Sequence, residues 1–140
     1  MDAISVQDRL VYVMVSVSAV DRDMGVDETR RIGDMARTLP VFDAWDPDRV
    51  VEAARTCRDI LQEDEGLQTI LRLAGELPEN LRQTAYALAA EVAAADRNVT
   101  AEEVRFLSLL RSALALRKME CAALEHAAWA RHQTAPREVG

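Results

Sequence analysis

The chain has 140 residues and a formal net charge of −7. Hydrophobic residues make up 49% and charged residues 29% of it, which excludes a disordered chain and favours one soluble globular domain. The acidic balance argues against nucleic acid as the main ligand, because duplex binding needs a basic face. We expect a cytoplasmic location, since no signal-peptide pattern and no apolar run of bilayer length occurs.

The first predicted helix, from about 6 to about 21, is the ambiguous element. Valines alternate with other residues between Val11 and Val17, which on its own is typical of a strand. A helical face is also present, with apolar residues at spacings of three and four: Leu10, Val13, Met14 and Val17. The matching later segment 84–92 is rich in alanine, so we predict a helix buried on most sides, with a strand as the alternative.

The second predicted helix covers roughly 26–39, and Pro40 stops it. The connection that follows carries two large side chains, Phe42 and Trp45. We expect both rings to plug the edge of the hydrophobic core.

Helices three, four and five are predicted from their boundary residues. Asp46 is an N-cap candidate and Pro47 suits the first helical position, so helix three begins there and ends at 63–66. Helix four is short and closes at Gly75, and Pro78 opens helix five.

The last two predicted helices complete an all-α fold of about seven helices. Thr100 and Glu103 have the spacing of a capping box at the start of helix six. Helix seven covers about 117–132. We therefore expect one helical domain over 1–133 and a flexible C-terminal tail over 134–140, where no apolar face occurs.

The stretches 17–32 and 92–107 repeat one pattern: an apolar helix, a short acidic turn and an amphipathic helix. Such self-similarity predicts a duplicated helical hairpin with pseudo-two-fold symmetry. It also puts four carboxylates at equivalent places in the two turns: Asp21 with Asp96, and Glu28 with Glu103.

The two turns, 19–30 and 94–105, resemble the Ala-Asp-Gly-x-x-Ser-x-x-Glu turn of TerB-like domains. These domains are named for the tellurite-resistance protein TerB and also occur in some membrane-anchored J-domain co-chaperones. The resemblance extends from about 5 to 132. The glycine that usually follows the aspartate is replaced by Arg22 and by Arg97.

This resemblance implies an all-helical fold and a role in tellurite resistance or stress response through protein contacts. The implied partners are proteins, membrane-associated components of the same stress system among them. It further implies that the acidic residues of the turns gather on one surface, where divalent metal binding has been proposed for the family.

The four turn carboxylates are the candidate metal ligands: Asp21, Glu28, Asp96 and Glu103. The two aspartates lie at predicted helix C-termini, where the helix dipole disfavours a negative charge. A divalent cation would compensate it, because such ions prefer oxygen ligands. The structural alternative is that each Asp accepts N–H groups of its own turn and each Glu completes a capping box. A calcium EF-hand loop is excluded, because Ala101 and Leu107 occupy the positions of its glycine and glutamate.

The cysteines and histidines show no metal-ligand spacing. Cys57 and Cys121 stand far apart among apolar neighbours, which favours buried reduced thiols. His126 and His132 are six positions apart on helix seven and do not share a face, which favours surface histidines.

Catalytic motifs are absent from the sequence. It has no Gly-x-Ser-x-Gly, no phosphate-binding loop and no glycine-rich dinucleotide turn. We therefore expect a non-enzymatic module that acts through protein contacts and binds a divalent cation weakly at its acidic turns. The alternative is a metal-ion sensor or buffer, and a remote alternative is a hydrolase that uses Asp96 and Glu103.

Overall fold

The computed structural model describes residues 4–20, 25–96 and 99–137. These residues form helices and no strand. The helices are α1 (Val6–Ala19), α2 (Val26–Thr38), α3 (Arg49–Leu61), α4 (Gly66–Gly75), α5 (Arg82–Ala95), α6 (Ala101–Ala113) and α7 (Lys118–Arg131), with single 3-10 turns at Pro40–Phe42 and Glu79–Leu81. The predicted all-α fold of about seven helices is confirmed, and the strand alternative for the first element is wrong.

Helix α1 is the centre of the core. It begins after Ser5, whose Oγ accepts the backbone N–H of Asp8 at 3.0 Å. Every residue from Leu10 to Ser18 is buried, because α1 packs against α2, α3, α4, α5 and α6. A helix covered on all sides needs no polar face. The valine alternation therefore reflects burial on all sides and not strand geometry.

Helix α3 begins at Arg49, two residues later than the sequence predicts. The side chain of Asp46 forms an Asx-type turn instead of a helix cap, since its Oδ1 accepts the backbone N–H of Asp48 at 2.9 Å. The residues around Pro47 are consequently a turn that leads into the helix.

A sharp corner joins α3 to α4. Glu65 adopts the left-handed conformation with φ of 57°, and Gly66 follows at the start of α4. A Cβ atom at Gly66 would lie 2.0 Å from the carbonyl oxygen of Ile60. Only glycine allows the backbones of α3 and α4 to approach this closely.

The connection between α2 and α3 fills the adjoining part of the core. Phe42 and Trp45 are 2% and 8% exposed, and their ring centroids lie 5.4 Å apart. The side chain of Gln7 on α1 donates a hydrogen bond from Nε2 to the carbonyl oxygen of Val41 at 3.1 Å. The prediction that these two rings plug the edge of the core is confirmed.

The junction between α1 and α3 contains one of the two free cysteines. The Cys57 Sγ lies 3.4 Å from the Tyr12 carbonyl oxygen and 3.5 Å from the Ser16 Oγ. Burial raises the pKa of the Cys57 thiol to about 11. Cys121 is also a buried free thiol, so the prediction of two buried reduced cysteines is confirmed.

The order α1–α2–α3 recurs as α5–α6–α7, with α4 between the two sets. The positions that the repeat pairs are buried in both copies, at no more than 3% exposure: Leu10, Met14 and Val17 in α1, and Ala85, Ala89 and Val92 in α5. The predicted burial of these six residues is confirmed, and the superposition of the two hairpins stays a prediction.

The described part of the chain contains no helix that is long and apolar enough to cross a membrane. After α7, residues 133–137 are non-helical and exposed. The domain boundary at 133 and the flexibility of the tail stay predictions.

Candidate functional site

The predicted metal ligands lie at two turns, and the structure describes three of the four. Asp21 lies outside the described residues. Glu28 is half-buried in the first turn of α2, Asp96 is the C-cap of α5, and Glu103 is buried in the first turn of α6. Within residues 4–20, 25–96 and 99–137, no group of three or more His, Cys, Asp or Glu side chains could hold a metal ion. The metal site stays a prediction, because Asp21 lies outside those ranges.

The second turn is organised by a helix cap. Thr100 Oγ1 accepts the backbone N–H of Glu103 at 3.2 Å and lies 3.4 Å from the Glu103 carboxylate. Glu103 is only 1% exposed, so its carboxylate is held inside the fold. The first turn differs, because its N-cap is Gly25, which has no side chain to offer. The prediction of a capping box at both turns is therefore wrong for the first copy.

A groove of about 540 Å³ opens between α5, α6 and α7. Helix α7 packs closely along α5 and makes little contact with α6, so the space between α6 and α7 remains open. The residues that shape it are small or apolar: Ala90, Ala93 and Ala94 on α5, Val104 and Leu107 on α6, and Trp129 on α7.

The walls of this groove expose apolar side chains to solvent. Val104 is 57% and Trp129 is 58% exposed, and Val99, just before α6, is 47% exposed. The floor is made of alanines with short side chains. Val99, Val104 and Trp129 all line this one groove, so exposed apolar side chains are concentrated there.

Polar side chains also line the groove: Tyr86, Ser108, Arg111, Lys118, Cys121 and Glu125. The Tyr86 hydroxyl donates a hydrogen bond to Glu125 Oε1 at 3.1 Å. Burial first, and then the charge of Glu125, raises the pKa of Tyr86, so its phenol keeps its proton. Burial also raises the pKa of Cys121, and the Arg111 guanidinium acts on it in the opposite direction.

Two basic side chains stand at the end of the groove where α6 finishes and α7 begins. They are Arg111 and Lys118, the single lysine of the sequence. Among the residues whose structure is described, neither side chain makes an ion pair or a hydrogen bond. The neighbouring Arg117, by contrast, pairs with Glu120 at 3.1 Å. The groove thus has a cationic end, and along its length apolar side chains alternate with Ser108 and Glu125.

The other end of α7 is fixed to α5 by ionisable groups. His132 Nε2 lies 2.7 Å from Glu91 Oε2, and Arg131 pairs with the other oxygen of Glu91. Burial, followed by the charges of Arg31 and Arg131, lowers the pKa of His132 in spite of the nearby carboxylate. His132 is the C-cap of α7 and its side chain is 31% exposed, so it is a partly exposed histidine that one carboxylate holds.

His126 is exposed, as predicted for a surface histidine. Its ring stacks on that of Trp129, with the two ring centroids 5.9 Å apart.

Sequence reasoning missed the groove. The signal lay in apolar residues that depart from the buried face of their helix. Val104 precedes the face of α6 that begins at Phe106, and Trp129 follows the buried Ala128 on α7. When other residues already form the buried face of a helix, an additional large apolar residue beside that face points away from the core. Such a residue stays exposed and is available for contact with another molecule.

Comparison of the chain with protein-family models, with curated proteins and with solved structures gave no match. The resemblance to TerB-like domains therefore stays an expectation that depends on the motifs of the two turns.

Proposed function

We propose that the protein is a non-enzymatic helical module of a tellurite-resistance or stress-response system, located in the cytoplasm, that acts through protein contacts. The stress context follows from the resemblance of the two turns to those of TerB-like domains. The outer surface of α7 is the observation that supports protein contact. Met119 is 84% exposed, and four alanines of the same helix are exposed as well: Ala122, Ala123, Ala127 and Ala130.

This surface differs from an ordinary solvent-facing helix. A helix that packs on one neighbour exposes most of its circumference, and charged or polar residues usually cover that part. In α7 much of the exposed part outside the groove is methionine and alanine. Short alanine side chains let another protein approach the helix closely, and Met119 offers an adaptable apolar contact.

Capture of partners from the native host tests this proposal. Immobilised wild-type protein, Met119→Glu and Val51→Glu are compared on cytoplasmic and on membrane fractions. Val51 is the matched control, because it is an apolar residue 55% exposed on α3. We expect Met119→Glu to lose proteins that wild type and Val51→Glu both retain. Equal capture by all three would contradict a contact through α7.

A metal-ion sensor or buffer is the second candidate function, and the placement of Glu103 and Asp96 at one turn favours it. Glu103 is buried in the first turn of α6, and Asp96 is the C-cap of α5. In this candidate the two carboxylates share a divalent cation, because such ions prefer oxygen ligands.

Thermal melting separates this candidate from a purely structural turn. The protein and its variants Asp96→Asn and Asp21→Asn are melted with chelator and with increasing calcium or magnesium. Binding to the native state raises the melting temperature with the logarithm of ion concentration. We expect Asp96→Asn to reduce this rise more than Asp21→Asn. If wild type shows no rise, the turns are architectural, and each variant lowers stability by roughly 0.5–2 kcal/mol alone.

A further inference from the structure

The shape of the groove between α5, α6 and α7 fits a small molecule. Its volume of about 540 Å³ falls within the range of roughly 300–1,000 Å³ that is typical of ligand sites. From Lys118 to Trp129 the wall runs eleven helical residues, or about 16 Å at the rise of an α-helix. A wall of this length suits an extended chain.

The two ends of the groove differ in charge. Arg111 and Lys118 stand at one end without an ion pair in the described ranges, while Trp129, Val99 and the alanine floor occupy the other. Glu125 is the one acidic residue of the lining, and it already accepts the Tyr86 hydroxyl. It lies seven residues from Lys118 along α7, about 10 Å away, so it does not face a group held at the basic end.

From this arrangement we propose that the groove binds a free amphiphile with an extended apolar chain and one anionic head group, a fatty-acid-like carboxylate. The chain lies on the alanine floor and against Val104 and Trp129. The carboxylate lies between Arg111 and Lys118, because a guanidinium and an ammonium both form charge-assisted hydrogen bonds with it. This ligand site is separate from the outer surface of α7 on which the proposed protein contact depends.

Charge favours a free carboxylate over a lipid bilayer. The chain carries a net charge of −7, which repels the anionic surface of a membrane. A single small anion meets only the local positive charge at the end of the groove. A recessed floor of alanines also favours a thin chain over a flat bilayer surface.

The fluorescence of Trp129 can report ligand binding in the intact chain. The protein has two tryptophans, Trp45 in the core and Trp129 in the groove. The buried Nε1 of Trp45 has no hydrogen-bond partner in the described part of the fold, so Trp45→Phe loses no hydrogen bond there. In that background, the emission of Trp129 is followed while dodecanoate, dodecanol or dodecyltrimethylammonium is added below its micellar concentration. The series octanoate to hexadecanoate is then compared.

We expect dodecanoate to shift the emission of Trp129 to shorter wavelength and to saturate at one site. Its affinity should exceed that of dodecyltrimethylammonium about tenfold or more, because the two molecules share a chain and differ in charge. Equal affinity for both head groups would overturn the assignment. So would the lack of a saturable shift for every carboxylate of the series. A shift with phosphatidylglycerol vesicles or with an acidic amphipathic peptide, but not with dodecanoate, would overturn it as well.

Variants locate the site. Arg111→Gln combined with Lys118→Gln should weaken dodecanoate about fivefold or more and leave dodecanol unchanged, since only the head-group contacts are lost. Arg55→Gln is the matched control, because this arginine is exposed on α3. Val104→Gln should weaken both ligands, and its exposed position keeps the fold intact. Unchanged dodecanoate binding by the double variant, with circular dichroism showing a folded protein, would contradict the proposed head-group site.

Discussion

The two halves of the molecule use the same order of helices and differ in what they leave open. In the first half, α2 contacts α3, and the connection 39–48 brings Phe42 and Trp45 into the core. In the second half, the connection 114–117 carries no aromatic residue, and α6 stands away from α7. The three helices of the first half are thus closely packed, and the three helices of the second half leave a groove.

The central helices of the two halves differ in side-chain size as well. The repeat pairs Leu10 with Ala85 and Met14 with Ala89, and all four are buried. Large residues on α1 fill the space that five neighbouring helices surround. The small alanines Ala85 and Ala89 let neighbouring helices approach α5 closely, whereas other alanines of α5 line the groove. At paired positions, a large side chain therefore fills the core in the first half, and an alanine allows close helix packing in the second half.

Truncation of a large residue on α1 should produce the largest effect. Leu10→Ala should lower the free energy of unfolding by about 2–5 kcal/mol, because it leaves a cavity at a fully buried site. Unfolding in urea, followed by far-UV circular dichroism, measures the change. A loss below about 1 kcal/mol would show that α1 is not the centre of the core.

Enlargement of an alanine on α5 should distinguish core from groove. Ala85→Leu should lower the free energy of unfolding by about 1–3 kcal/mol, because Ala85 is fully buried and the extra atoms overpack the core. Ala94→Leu should cost much less, because Ala94 is only half-buried and lines the groove. The same urea measurement compares the two variants. Equal destabilisation would contradict the open space between α6 and α7.

Acid should weaken the attachment of α7 more than that of α3. The pKa of His132 is lowered in the folded protein, so the unfolded chain, with a histidine pKa of about 6.5, takes up the proton first. The stability from this group is present above about pH 6.5 and is lost as the pH falls through the folded pKa. The α1–α3 junction contains the buried Cys57 and no comparable histidine contact.

The variant His132→Gln isolates this effect. The difference in unfolding free energy between wild type and His132→Gln, measured in urea, should shrink as the pH is lowered from about 7.5 to about 5.5. The exposed His126 provides the control substitution, His126→Gln. A difference that stays constant or grows on acidification would contradict the lowered pKa.

The two helix caps should give the smallest effect. Gly25 is the N-cap of α2 in extended conformation, and a Cβ there meets no atom within 4 Å in the described structure. Gly25→Ser should stabilise the protein by a few tenths of a kcal/mol by supplying the cap that Thr100 supplies in α6. Thr100→Gly should cost a similar amount. Melting temperatures that move in the same direction for both variants would contradict the equivalence of the two turns.

Most of the fold could be predicted from the sequence, because apolar spacing and stop residues are local signals. These signals predict α2, α6 and the burial of Phe42 and Trp45 at the edge of the core. The start of α3 was placed too early, because Asp46 bonds within its own turn. The reciprocal cap was expected in both turns although Gly25 offers no side chain.

The groove could not be predicted, because no spacing along the chain encodes the distance between α6 and α7. That distance depends on tertiary packing of α7 on α5, which includes the contact of His132 with Glu91 across the two helices. Val104 and Trp129 gave the only local hint. The four predicted metal ligands follow from the repeated sequence pattern alone, and the melting experiment with cations tests that prediction.

Hydrogen exchange of the full chain, with and without dodecanoate, tests the central claim most directly. We predict that amides of α7 exchange faster than those of α3 in the free protein, because α7 packs mainly on α5 while α3 contacts α1, α2 and α4. Dodecanoate should slow exchange in α6 and α7 and leave α2 and α3 unchanged. Equal exchange of α3 and α7 in the free protein, or protection spread evenly over both halves, would contradict a closed first half and an open second half.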